Sequence, residues 1–122
     1  MPSAIKSYRD LEVWQKGMEL VMQVYQKTRS FPREEQFGLV GQMRRAAISI
    51  PANIAEGHGR THLKEYLNFL STAYGSLMEL ETHIILAERL TYINSEAQAL
   101  LKQTSELGRI LNGLMKALAA SK

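Results

Sequence analysis

The chain has 122 residues, no cysteine, and fifteen Lys and Arg against twelve Asp and Glu, a formal charge of +3. That length fits one domain with a core large enough to need no staple, and the missing cysteines exclude disulfides, thiolate nucleophiles and cysteine-held metals. The charge excess is mild and by itself implies only weak attraction to polyanions. The opening Met1-Pro2-Ser3-Ala4-Ile5-Lys6 has no apolar run before a cleavage site, and no stretch approaches the about 20 apolar residues that span a bilayer, so a cytoplasmic chain without a membrane partner is expected.

Apolar spacing is helical throughout, and no segment alternates convincingly with period two. The first helix is predicted over about 8–29, capped by Ser7 with Asp10, with Leu11, Trp14, Met18, Val21 and Tyr25 as its stripe. Ser30-Phe31-Pro32 ends it and opens a second helix over about 33–57, where Pro32 suits the first turn. Val40, Met43, Ala47, Ile50 and Ile54 form its stripe, Pro51 predicts a kink, and Gly57 and Gly59 predict the stop. A third helix over about 62–92 is capped by Thr61 and carries Leu63, Tyr66, Leu70, Ala73, Leu77, Leu80, Ile84 and Ala87. Asn94-Ser95 makes a joint. Ser95 and Gln98 form a capping box for a fourth helix over about 96–119, striped by Ala97, Leu100, Thr104, Leu107, Leu111, Leu114 and Leu118. Four long helices with short joints predict one all-α domain over 1–122, an antiparallel up-down-up-down four-helix bundle.

Apolar residues exceed one stripe per helix. Val13, Leu20 and Val24 are left over on the first helix, and Phe37, Leu39, Gly41, Ile48 and Ala55 widen the second. Leu67, Phe69, Leu86 and Leu90 add to the third. Large apolar patches are rarely left in water, so the excess predicts self-association.

Polar residues are also aligned. Gln42, Ser49 and Glu56 recur every seven positions, with Arg45 and Asn53 between them, and the third helix supplies Ser76, Glu79 and His83. If these faces meet, Arg45 can pair with Glu79 and Asn53 with Ser76. The simplest reading is a structural network that sets register or a solvated face, with a ligand site as the sharper alternative. Lys102, Arg109 and Lys116 stand seven apart opposite the leucines of the fourth helix, a line suited to phosphate backbones once multiplied by assembly. Arg60 precedes the third helix, whose free backbone donors make it another candidate anion contact. His58, His62 and Glu65 are too few and too interrupted by Gly59 for a metal site, Glu-x-x-His pairs of di-iron bundles are absent, and no nucleophile or phosphate-loop motif occurs. Catalytic residues, cofactors and a small-molecule substrate are therefore not expected.

Several motifs together resemble a known family. They are Tyr8-Arg9-Asp10-Leu11-Glu12-Val13-Trp14, Phe31-Pro32, Gln42-Met43-Arg44-Arg45-Ala46, Asn53-Ile54-Ala55-Glu56-Gly57, and Ala73-Tyr74-Gly75-Ser76-Leu77-Met78-Glu79-Leu80-Glu81. The chain is similar, over about residues 7 to 118, to the four-helix bundle proteins named after open reading frames in intervening sequences of bacterial 23S rRNA genes. The resemblance implies a left-handed up-down bundle that assembles into homopentamers. It also implies kinship with the accessory variability proteins of diversity-generating retroelements, whose pentameric barrels carry basic surfaces that engage nucleic acid. It implies no reaction. The expected function is a ring-forming, non-enzymatic interaction protein that binds RNA or DNA through charge; the alternative is a protein-binding scaffold with no nucleic-acid role.

Overall fold

In the computed structural model, which describes residues 5–121, Ser7 closes a capping box over a short 3-10 turn, Tyr8–Asp10. Its hydroxyl accepts from the Arg9 backbone and Asp10 reaches back to the Ser7 amide. Leu11 is extended, so the first α-helix, α1, starts only at Glu12 and runs Glu12–Thr28. A second 3-10 turn, Arg33–Glu35, precedes α2, Leu39–His58. The third and fourth helices are α3, Leu63–Arg89, and α4, Glu96–Ala120. Met1–Ala4 and Lys122, the ends of the 1–122 domain and most of the opening segment read for a leader, lie outside the described residues.

The helices form a four-helix bundle in which α1 and α3 each pack on α2 and α4. Cross-contacts show the sense of each pair. Gly17 faces Ile50 and Pro51 while Arg44 reaches Thr28, so α1 and α2 run opposite ways. Gly57 lies against Tyr66 and Phe69 while Ser49 meets Ser76. Thr104 meets Glu81 while Gly108 lies against Leu77 and Tyr74. The core is aliphatic, with Leu20, Met43, Ile50, Ile54, Leu70, Leu77, Leu80, Ile84, Leu100, Leu107 and Leu111 essentially dry.

Several sequence expectations are corrected. On α1 the buried line is Val13, Gly17, Leu20, Val24 and Thr28, one position from the predicted stripe, and Met18 is exposed. Two adjacent apolar lines compete on this helix, and the positions of α2 and α4 decide between them. Helix α2 continues through Pro51 without a break, as expected, and of the two glycines expected to stop it Gly59 holds the C-cap while Gly57 sits buried inside the helix. Thr61 does not cap α3: His62 holds that position and makes no side-chain cap. Ser95 makes no capping bond either, and the Glu96 carboxylate accepts from the Asn94 backbone instead. The stop of α3 comes early, at Thr91, whose φ of 63° is left-handed and whose neighbour Tyr92 donates its amide to Ala87 O at 2.9 Å. That is the hydrogen-bond pattern of a helix-ending turn usually built with glycine.

Candidate functional site

The polar line of α2 divides in two. Toward α3, Asn53 Nδ2 donates to Ser49 O at 2.7 Å and to Ser49 Oγ at 2.9 Å, and Ser49 Oγ lies 2.8 Å from Ser76 Oγ. This half-buried chain of small polar groups ties the middle of α2 to the middle of α3. Ser49 is thus the bridge between Asn53 and Ser76, which do not pair directly as the sequence suggested. Gln42, Arg45 and Glu56 face solvent. Arg45 lies two residues before buried Ala47, about 200° round the helix, so it points away from the core. Among the described residues the expected Arg45–Glu79 ion pair is not formed within the chain; Glu79 lies 3.8 Å from His83 Nε2 instead. Nδ1 of His83 is buried without a hydrogen-bond partner. The cost of breaking a buried ion pair therefore does not attach to Arg45.

Arg60 is occupied. Its Nη2 lies 3.0 Å from Glu56 Oε2 and its guanidinium stacks over Phe69 at 4.8 Å, which takes it out of the role of a free anion contact at the start of α3. His58 ends α2 with its ring edge-on to Tyr66, whose hydroxyl pKa is raised by burial, and His62 stands at the entry to α3. Among the described residues no group of three or more His, Asp or Glu is arranged to hold a metal ion.

Lys102, Arg109 and Lys116 are all exposed on α4, and no carboxylate lies within ion-pair distance of any of them among the described residues. Successive members are about 10.5 Å apart along the axis, slightly more than the roughly 8 Å screening length at physiological salt. They therefore act together at low salt and separately at higher salt.

Exposed apolar side chains cluster by level. Met18 and Met22 of α1 and Ile48 of α2 are exposed between the Gly17–Pro51 and Arg44–Thr28 contacts of those helices, Met22 at 67%. Ile85, Leu86 and Leu90 are exposed toward the end of α3, and Phe37, at 92%, stands almost bare before α2. Val13, Leu20, Val24 and Leu39, counted as excess from the sequence, lie in the core. Met18 and Met22 take their place as the surplus of α1.

Arg44 has a structural role that helical spacing does not reveal. Its Nε donates to Thr28 Oγ1 at 3.0 Å, its Nη2 to Tyr25 O at 3.4 Å, and its guanidinium lies 4.3 Å over the Tyr25 ring. It thereby closes the C-terminal end of α1, where carbonyls lack helical partners and the dipole favours a cation. Adjacency to Arg45 and Thr28's place at the end of the first helix were the available signals, but only a fold brings residues 16 apart together.

These features define a four-helix bundle with a polar α2–α3 seam, an uncovered apolar surface and no assembled reaction centre among the described residues. Residues 9–113 match the 23S rRNA-intervening sequence protein family, and the chain belongs to it. Its fold is similar to the crystal structure of a protein with unknown function from the S23 ribosomal protein family of Bacteroides thetaiotaomicron VPI-5482. The two share 24% identity with a TM-score of 0.79, over 85% of this chain and 95% of that one. Among curated proteins none matches the chain.

Proposed function

We propose that this protein is a non-enzymatic, self-assembling interaction module of the cytoplasm that forms a homopentameric ring and binds RNA or DNA through repeated basic surfaces. The observation that carries the reading is the exposed set Met18, Met22 and Ile48 beside the α1–α2 contact, an apolar surface that a second copy would take out of water. Membership of the family supports the same assembly, since the resemblance implies pentamers. The basic line of α4 supplies the nucleic-acid contact, and ring symmetry would repeat it five times.

Light scattering at micromolar protein is expected to give a mass close to five times 13.8 kDa. A stable monomer overturns the assembly. For nucleic acid, binding to unrelated RNA and DNA at low salt is expected with little sequence preference. Each protomer's three charges limit the log–log salt slope to about 3 per engaged subunit. Changing Lys102, Arg109 and Lys116 together to Glu is expected to abolish binding of RNA and DNA that carry no terminal phosphate and to leave the bundle folded. Absence of binding by the wild type at low salt supports the protein-scaffold alternative, for which exposed Phe37, Leu86 and Leu90 offer an apolar surface.

A further inference from the structure

The joint between α1 and α2 borders a half-open concavity of about 340 Å³ lined by Thr28, Arg29, Phe31, Arg33, Gln36 and Arg44, together with Pro32 and Val40. Three of these side chains are guanidinium groups and none is a carboxylate. We propose that this cavity is a phosphate-binding site, separate from the basic line of α4 and independent of the reading that assigns that line to nucleic acid.

One wall is rigid. Arg44 is fixed on both faces of its role: Nε and Nη2 are spent on Thr28 Oγ1 and Tyr25 O, and the plane is stacked on the Tyr25 ring. Thr28 is itself 97% buried and its hydroxyl donates to Val24 O at 2.7 Å, so it holds Arg44 and has no proton left for a ligand. The remaining N–H groups of Arg44, on Nη1 and the second position of Nη2, are in place before a ligand arrives. A guanidinium held in one orientation loses less freedom on binding an oxyanion than a free one.

The other two cations are adaptable. Arg29 and Arg33 are exposed at the two ends of the joint, and neither has a carboxylate within ion-pair distance among the described residues. The joint also carries two acids: Glu35 is engaged, accepting from the Leu39 amide at 3.1 Å and from the Tyr92 hydroxyl at 2.8 Å, whereas Glu34, beside Arg33, is exposed and offsets part of the positive charge. The negative end of the α1 dipole opposes an anion here, but two of its terminal carbonyls are already bonded, Thr28 O to the Phe31 amide and Tyr25 O to Arg44. Three whole positive charges outweigh about half a negative one.

Part of the lining is apolar, supplied by the largely buried Phe31 and Val40. A concave site with a partly apolar lining strengthens charge-assisted hydrogen bonds over those of an open lysine or arginine surface. The chemistry that fits is a terminal phosphate with three free oxygens, able to meet Arg29, Arg33 and Arg44 at once. An internal phosphodiester offers only two. The concavity is open on one side and larger than a phosphate group, so it leaves room for whatever carries the phosphate.

The test is calorimetric titration of the intact protein at low salt with three probes: inorganic phosphate, a 5′-phosphorylated dinucleotide, and the same dinucleotide without the 5′-phosphate. Saturable binding of one phosphate per protomer is expected, weakened at least tenfold by Arg29→Gln with Arg33→Gln, both exposed positions that leave the core untouched. Arg44→Lys, which keeps the charge but loses the fork, is expected to weaken it as well. The Lys102, Arg109 and Lys116 to Glu variant is expected to bind the phosphate probes within about twofold of wild type, which separates this site from the α4 line. If inorganic phosphate and the 5′-phosphorylated dinucleotide bind alike, the ligand is a free phosphate. If only the dinucleotide with its 5′-phosphate binds, and the arginine variants lose it, the site reads a strand terminus. Equal binding by wild type and the Arg29/Arg33 variant, equal binding of the dinucleotide with and without its phosphate, or no saturable binding at all overturns the proposal.

Discussion

Single residues in this protein act through what stands opposite them, and Gly57 is the clearest case. A Cβ at Gly57 would lie 2.6 Å from the Phe69 Cβ and 3.1 Å from Tyr66 Cδ1, so glycine lets α2 and α3 approach there. Replacing a helical glycine by alanine normally gains up to about 1 kcal/mol. Here overpacking of about 1–3 kcal/mol opposes that gain, and the backbone-linked Cβ of Phe69 cannot swing aside. Gly57→Ala is therefore expected to lower the melting temperature. Gly113→Ala, on an exposed turn of α4 with nothing within 4 Å, is expected to raise stability by about 0.5–1 kcal/mol. Thermal unfolding of the two variants side by side checks both signs, and a stabilised Gly57→Ala would show that the α2–α3 seam can open to admit a methyl group. Both glycines are helical, and the difference between them lies entirely in the neighbour.

At the scale of elements, the ends of the helices carry the specific chemistry. The early stop of α3 places Thr91 in a left-handed conformation that costs a branched residue roughly 1–2 kcal/mol. Thr91→Gly is expected to stabilise the fold by about 1 kcal/mol, read as a shift of the denaturation midpoint without a change in slope. The start of α2 is tied across 57 residues by the Tyr92 hydroxyl, which donates to Glu35 Oε2 while Oε1 accepts from Leu39. The bond from Tyr92, then that from the Leu39 backbone, holds the Glu35 carboxyl below its ordinary range, and the same bond to the carboxylate raises Tyr92. A lowered carboxyl contributes stability above its unfolded pKa of about 4.3, lost as pH falls through its folded value. A raised phenol contributes stability below about 10, lost as pH rises through its folded value. The tie thus operates between those limits and weakens at both. Glu35→Gln compared with wild type in urea from pH 3 to 8 is expected to differ most at neutral pH and to converge at the acid end; a constant difference would place the effect outside ionisation.

For the whole molecule, the distribution of apolar side chains predicts assembly behaviour that can be separated from folding. Met22 and Ile48 are exposed in the single chain, so Met22→Lys with Ile48→Lys removes no core contact. Surface changes of that kind usually shift monomer stability by no more than about 0.5 kcal/mol. The double variant is expected to keep its helical circular dichroism and to fall from assembled to monomeric mass in light scattering. An assembled mass unchanged in the variant would move the interface to the exposed Ile85 and Leu86 of α3 and Leu90 just past its end.

Much of this architecture is local and was legible in the residues. Proline, glycine and three-and-four spacing mark four helices, and the core stripes of α2, α3 and α4 follow from the period alone, because one apolar line per turn must face inward. The motifs on the first three helices and their joints were enough to point to the family that residues 9–113 match. What spacing does not contain is the direction of the neighbouring helix. On α1 two adjacent lines were both apolar, and only the packing of α2 and α4 put Val13, Leu20 and Val24 inside and left Met18 and Met22 out. The same reason holds for the polar groups. Whether Arg45 is paired, whether Arg60 is free, and whether Arg29, Arg33 and Arg44 surround one cavity depend on residues far apart in the chain being brought to one place. Periodicity determines which faces exist, and the tertiary structure decides which faces meet.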